Sequence, residues 1–118
     1  MDKPKAAPTR TVRTQAALRH LRSRLQAIYG QDAPRLVIYG SEARRDATET
    51  SDVDILLIYQ HIVNRGEEIR RLSAALAEIN LDYDLLISVL PVVEAEYQAA
   101  QGPFWTNVRR EGVTLERI

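Results

Sequence analysis

Between Asp54 and Gln60 the chain runs Ile55-Leu56-Leu57-Ile58-Tyr59 without a polar residue. The run is too short for a helix of its own. Val53, Ile55, Leu57 and Tyr59 alternate with Asp54, Leu56 and Ile58, so SDVDILLIYQ reads as a strand whose far half is buried on both faces. A strand of that kind needs apolar cover above and below, which commits the chain to a layered domain.

The rest of the chain supplies the cover. Leu18, Leu21, Leu25 and Ile28 recur at helical spacing from about Val12, and Gly30 is placed to stop that helix. Pro34 closes a turn, and RLVIYG reads as a short buried strand ending at Gly40. Ser41 is placed to cap a short helix through Glu42, Ala43 and Arg44. DATETSD is polar and turn-like. Residues 66–79 carry Ile69, Leu72, Leu76 and Ile79 on one helical stripe. LDYDLLISVL reads as a third strand halted by Pro91, VEAEYQAA as a helix, and FWTNVRRE as a last helix ending at Gly112. Helices alternating with strands in this order predict a compact α+β (α/β mixed sheet) domain over residues 12–118, behind a flexible basic tail at 1–11.

Composition removes several functional classes. The 118 residues include no cysteine and only two histidines, His20 and His61, which argues against disulfides and a structural zinc site. No apolar run approaches the roughly 20 residues of a membrane span, and the charged N-terminus has no apolar segment behind it. A cytoplasmic protein is expected. Charge is uneven: residues 1–30 hold seven Lys/Arg and one acid, while residues 31–118 hold nine Arg and fifteen acids. A solvated helix face and tail explain the basic start most simply, with an electrostatic handle for an acidic partner as the alternative.

The chemistry concentrates in YGSEARRDATETSDVD. In a strand Asp52 and Asp54 share a face, about 7 Å apart along the chain. Two carboxylates held so repel unless a cation lies between them. Mg²⁺ takes oxygen ligands and leaves other positions to water and substrate phosphates. The Gly40-Ser41 pair follows one strand and opens a helix, where free N–H groups favour phosphate. A phosphate cradle beside a Mg²⁺ clamp describes a nucleoside triphosphate site. A third acid would complete a two-metal site; LDYDLLIS offers Asp82 and Asp84, and Asp84, directly before its apolar run, is better placed. Arg44 and Arg45 either touch the triphosphate or are ordinary surface residues. Four fixed positions of this kind match by chance about once in 10⁵ starts, given average residue frequencies. A plain turn with two solubilising acids is therefore the weaker reading.

The pattern G-S-x(10)-D-x-D at Gly40-Ser41 and Asp52-Val53-Asp54 resembles the signature of polymerase-β-like nucleotidyltransferases. YGSEARRDATETSDVDILLIY and the closing PFWTNVRREGVTL resemble the stand-alone minimal nucleotidyltransferases (MNT) of that superfamily. The resemblance covers about residues 14–115 and implies a small polymerase-β-like core with flanking helices. By it Gly40, Ser41 and Arg44 contact the nucleotide, Asp52 and Asp54 bind Mg²⁺, and Asp84 is the third carboxylate. Arg45 departs from the pattern, standing where glycine is common. The resemblance further implies transfer of AMP from ATP to a hydroxyl, with tyrosine favoured, on a HEPN-type toxin whose antitoxin this protein would be. Binding-only neutralisation, and transfer to a small molecule or RNA end, are the alternatives. The basic helix before Gly30 and the Phe104-Trp105 segment are the expected docking surfaces.

Overall fold

The computed structural model describes residues 9–62 and 64–115. Thr9 opens helix α1 (Arg10–Tyr29), its side-chain oxygen accepting from the Val12 amide and satisfying a first-turn N–H. The helix thus begins slightly before its apolar stripe, and residues 10 and 11 of the expected tail belong to it; the tail's residues 1–8 lie outside the described residues. Gly30, at φ 61°, ends α1 as its sequence position suggests. A 3-10 turn at Gly30–Asp32 then leads into β1 (Arg35–Tyr39).

Helix α2 (Ser41–Arg44) follows, then β2 (Val53–Tyr59), α3 (Arg65–Tyr83), β3 (Ile87–Val93), α4 (Glu94–Ala99), α5 (Pro103–Glu111) and β4 (Val113–Thr114). The strands form one mixed sheet in the order β3-β2-β1-β4. β1 runs antiparallel to β2 and β4, and β2 runs parallel to β3. Every residue from Ile55 to Tyr59 is buried, as the apolar run requires. Alternation along the strands divides the interior. Leu36, Ile38, Val53, Ile55, Leu57 and Tyr59 face α1 and α3, against Leu18, Leu21, Leu25, Leu72 and Ile79. Val37, Leu56, Ile58 and Val92 face the other way, against Val108 of α5, with Tyr39, Tyr97 and Trp105 at the margin.

Three expectations are corrected and one element is new. Ser41 does not cap α2: Gly40 occupies the cap position and Ser41 is the first helical residue. The α3 helix runs on through Leu81, Asp82 and Tyr83, which read as strand in the sequence. Helical spacing brings Tyr83 onto α1, its ring edge-on to His20 and its hydroxyl 3.3 Å from Nδ1, and this packing outweighs the local alternation. Pro91 does not halt the third strand but sits inside β3, which is allowed because β3 is a sheet edge and a proline there leaves no ladder bond unmade. Finally, β4 was not anticipated; two residues carry too little pattern to be read.

Candidate active site

Gly40 links the end of β1 to α2 at φ 73°, a left-handed conformation that favours glycine. Its missing side chain has a second consequence. A Cβ there would stand 2.8 Å from Oδ2 of Asp54, inside van der Waals contact. The turn that presents Ser41 therefore lies directly against Asp54.

The pair sits where β2 begins. Asp54 is half-buried and Asp52 exposed. Burial first, and then the Asp52 charge, raise the Asp54 carboxyl above its ordinary value. A cation bound beside Asp54 would favour its charged form and offset both effects. In the sheet, Asp54 is paired with Tyr39 of β1 and Ser88 of β3. Burial and the Asp54 charge push the Tyr39 phenol up, so it stays protonated at neutral pH. Tyr39 meets the ring of Phe104 edge-on, centroids 5.6 Å apart, and Phe104 meets Trp105 at 5.0 Å. Phe104 is 45% exposed. Ser88 escapes a motif search, because only strand register puts it beside Asp54.

The loop from α2 to Asp52 is tightly built. The Asp46 amide donates to the Ser41 carbonyl at 3.0 Å. The Thr48 amide donates to Ser51 Oγ at 2.8 Å, and the Ser51 amide returns to the Thr48 carbonyl. Arg45 closes α2 at φ 63°, the left-handed position that explains why glycine is common there in the resembling pattern.

Other candidates stand further off. Arg44 directs Nε to Asp46 at 3.2 Å and Nη1 to Glu111 at 3.4 Å, tying α2 to α5. The sequence places Asp84 in the third strand facing the pair; it is instead exposed and caps α3 at φ 52°, ahead of β3. The Val53 amide donates to the Leu86 carbonyl, so Asp84 lies at the same end of the sheet as the pair, ahead of the neighbouring strand. Asp82 lies within the last turn of α3. Among the described residues no group of three or more His, Cys, Asp or Glu is gathered closely enough to hold a metal ion; the structure joins Gly40 to the pair and leaves Asp84 apart. A half-buried carboxylate with a second acid two residues away, packed against a glycine turn that opens a helix, is a donor set that fits Mg²⁺ with a nucleotide.

Comparison with known proteins places the fold. No curated protein matches the chain. The whole fold is similar to a putative nucleotidyltransferase from Sulfolobus solfataricus, at TM-score 0.60 and 19% identity, over 97% of this chain and 89% of that one. It is also similar to a toxin–antitoxin structure with AMP-PNP (TM-score 0.51, 16% identity, 86% of this chain and 71% of that one). A mutant of the toxin–antitoxin pair MntA–HpeT matches at TM-score 0.52 and 13% identity, over 79% and 67% of the two chains. The family "Polymerase beta, Nucleotidyltransferase" matches residues 27–115, a span holding the Gly40-Ser41 turn, the acid pair and all four strands. The chain belongs to the polymerase-β nucleotidyltransferase family.

Proposed function

We propose that this protein is a Mg²⁺-dependent nucleotidyltransferase that moves AMP from ATP to a tyrosine hydroxyl of a HEPN-type toxin, and so acts as its antitoxin. The observation that carries the reading is the contact of Gly40 with the Asp54 carboxylate, which joins a phosphate-binding turn to a metal-binding pair. Similarity to toxin–antitoxin structures, one with AMP-PNP, supports the nucleotide and the class of partner.

In this reading Asp52 and Asp54 hold Mg²⁺, which when bound neutralises charge on the triphosphate and the leaving group. Gly40 and Ser41 orient the β- and γ-phosphates through the backbone and the serine hydroxyl. Arg44 adds a charge if it exchanges Asp46 for phosphate, an inexpensive exchange because both partners are exposed and surface pairs hold each other weakly. Asp84 is the acid we assign to the second metal position, approaching from the turn ahead of β3. The acceptor oxygen attacks the α-phosphorus, the bond to the bridging oxygen of the β-phosphate breaks, and pyrophosphate leaves; the hydroxyl proton passes to Asp84 or water. Positioning and charge supply most of the acceleration.

Intact mass spectrometry of a partner incubated with the protein, ATP and Mg²⁺ tests the proposal. Each AMP adds about 329 Da, as transfer of one adenylyl unit requires. The gain should vanish with EDTA and with Asp52→Ala or Asp54→Ala, and should fall more with Asp84→Ala than with Asp82→Ala. An unmodified yet neutralised toxin would replace this reading with a binding-only antitoxin.

A further inference from the structure

Arg10 opens α1, yet it is only 7% exposed. Its guanidinium faces two segments far away in sequence. Nη1 donates to Glu42 Oε1 at 2.7 Å, and Nη2 donates to the Ser51 carbonyl at 3.0 Å. Glu42 follows Ser41 in the phosphate turn, and Ser51 precedes Asp52 of the acid pair. One buried side chain therefore bonds the residue beside each half of the site. The Glu42 carboxylate is also largely covered, so the bond is little screened by solvent. Arg13, a turn further along α1, reinforces the arrangement: its Nε donates to the Tyr83 carbonyl at 3.0 Å, beside Asp84, and Nη2 to Glu49 at 3.1 Å.

A planar fork with donors on two sides can hold two acceptors in fixed geometry; a lysine ammonium on a flexible stem cannot hold them so rigidly. Outer residues that orient metal-binding carboxylates, without touching the metal, alter its affinity. We propose that Arg10 is a positioning residue of the nucleotidyl-transfer site, fixing the distance between the Gly40-Ser41 turn and the Asp52/Asp54 pair. It sets the geometry into which metal and triphosphate fit together, and contacts neither. This inference rests on the function proposed above for the same site.

The test uses the full chain with Arg10→Lys, which keeps the charge, and Arg10→Met, which keeps the buried stem. Calorimetry with ATP and Mg²⁺ should show Mg²⁺-dependent nucleotide affinity reduced roughly 10-fold in both, the size typical of losing an outer partner of a metal site. Amide hydrogen exchange should quicken over residues 45–52, while the helices α3 and α5 keep their protection. A merely structural role would loosen the whole chain in proportion. Unchanged affinity and unchanged exchange over 45–52 in Arg10→Lys would overturn the inference. Should the wild type itself bind no nucleotide, the functional reading fails, and with it the catalytic sense of the positioning; local exchange then reports whether Arg10 still braces the loop.

Discussion

At Gly40 two demands coincide, and each is measurable. The residue needs φ 73°, and any Cβ meets the Asp54 carboxylate at 2.8 Å. Gly40→Ala should cost about 1–3 kcal/mol of stability, the usual cost of a strained backbone position. It should also abolish Mg²⁺-dependent nucleotide binding, since relief comes only by moving Asp54; denaturant unfolding and calorimetry check the two parts. Asp54 has its own pH signature. Its folded pKa is raised, so ionising it opposes folding: the penalty is absent below the ordinary carboxylate range and accrues as pH rises through the raised value. Asp54→Asn should therefore melt higher than wild type at pH 7, the difference closing toward pH 3. Mg²⁺ should raise the wild-type melting temperature and leave that of Asp54→Asn nearly unmoved. A variant no more stable than wild type at pH 7 would contradict the penalty assigned to Asp54. The closeness of Gly40 to Asp54 was legible in the sequence through the G-S-x(10)-D-x-D spacing; Ser88 was not, because only pairing across strands brings it in.

Between elements, what the sequence hid was mostly set by long-range contacts. The buried run 55–59 announced β2, and the stripes at Leu18–Leu25 and Leu72–Ile79 announced the two helices that cover it. LDYD misled because apolar and polar residues alternate there, whereas Tyr83 is claimed by α1 through His20 and Asp84 adopts a left-handed cap. Arg10 looked like part of a solvated tail, and only folding shows it buried between α2 and Ser51. The α5–β4 corner shows the same dependence on contact. Gly112 has ordinary φ, yet a Cβ on it would lie 2.5 Å from the Val108 carbonyl oxygen and 2.7 Å from Val37 Cγ1. Glycine is needed there for closeness alone. Gly112→Ala should cost about 1–3 kcal/mol by overpacking and free β4 from β1, seen as faster exchange of the Ile38 amide, which faces Val113, while the Val37 amide, paired with Leu56 of β2, stays protected. Retained protection at Ile38 would show that the corner can yield.

Across the whole molecule, charge and apolar surface divide the two docking faces expected from the sequence. The basic helix is partly engaged internally: Arg10, Arg13 and Arg24 pair with Glu42, Glu49 and Glu78. No described helix is long and apolar enough to cross a membrane. The apolar alternative is better placed. Phe104 is 45% and Leu90 38% exposed. Leu90 is in register with Leu56, on the sheet face that also carries Asp54 and its partner Ser88, and Phe104 reaches the same face through Tyr39. Exposed apolar groups thus stand on both flanks of Asp54, where under the proposed function an acceptor chain would lie to bring its hydroxyl to the α-phosphate. In the proposed function this face receives the toxin. Aromatic anchors of interfaces are commonly worth about 2 kcal/mol or more, which is roughly 30-fold in affinity. Phe104→Ser together with Leu90→Ser should weaken capture of the partner by that order and raise the partner concentration needed for half-maximal AMP labelling. Nucleotide binding in the absence of partner should change far less, because neither side chain belongs to the turn or the pair. Titrating partner at saturating ATP–Mg²⁺ and following labelling by mass makes the distinction. A loss confined to maximal rate, with the half-saturating partner concentration unmoved, would place the docking surface elsewhere.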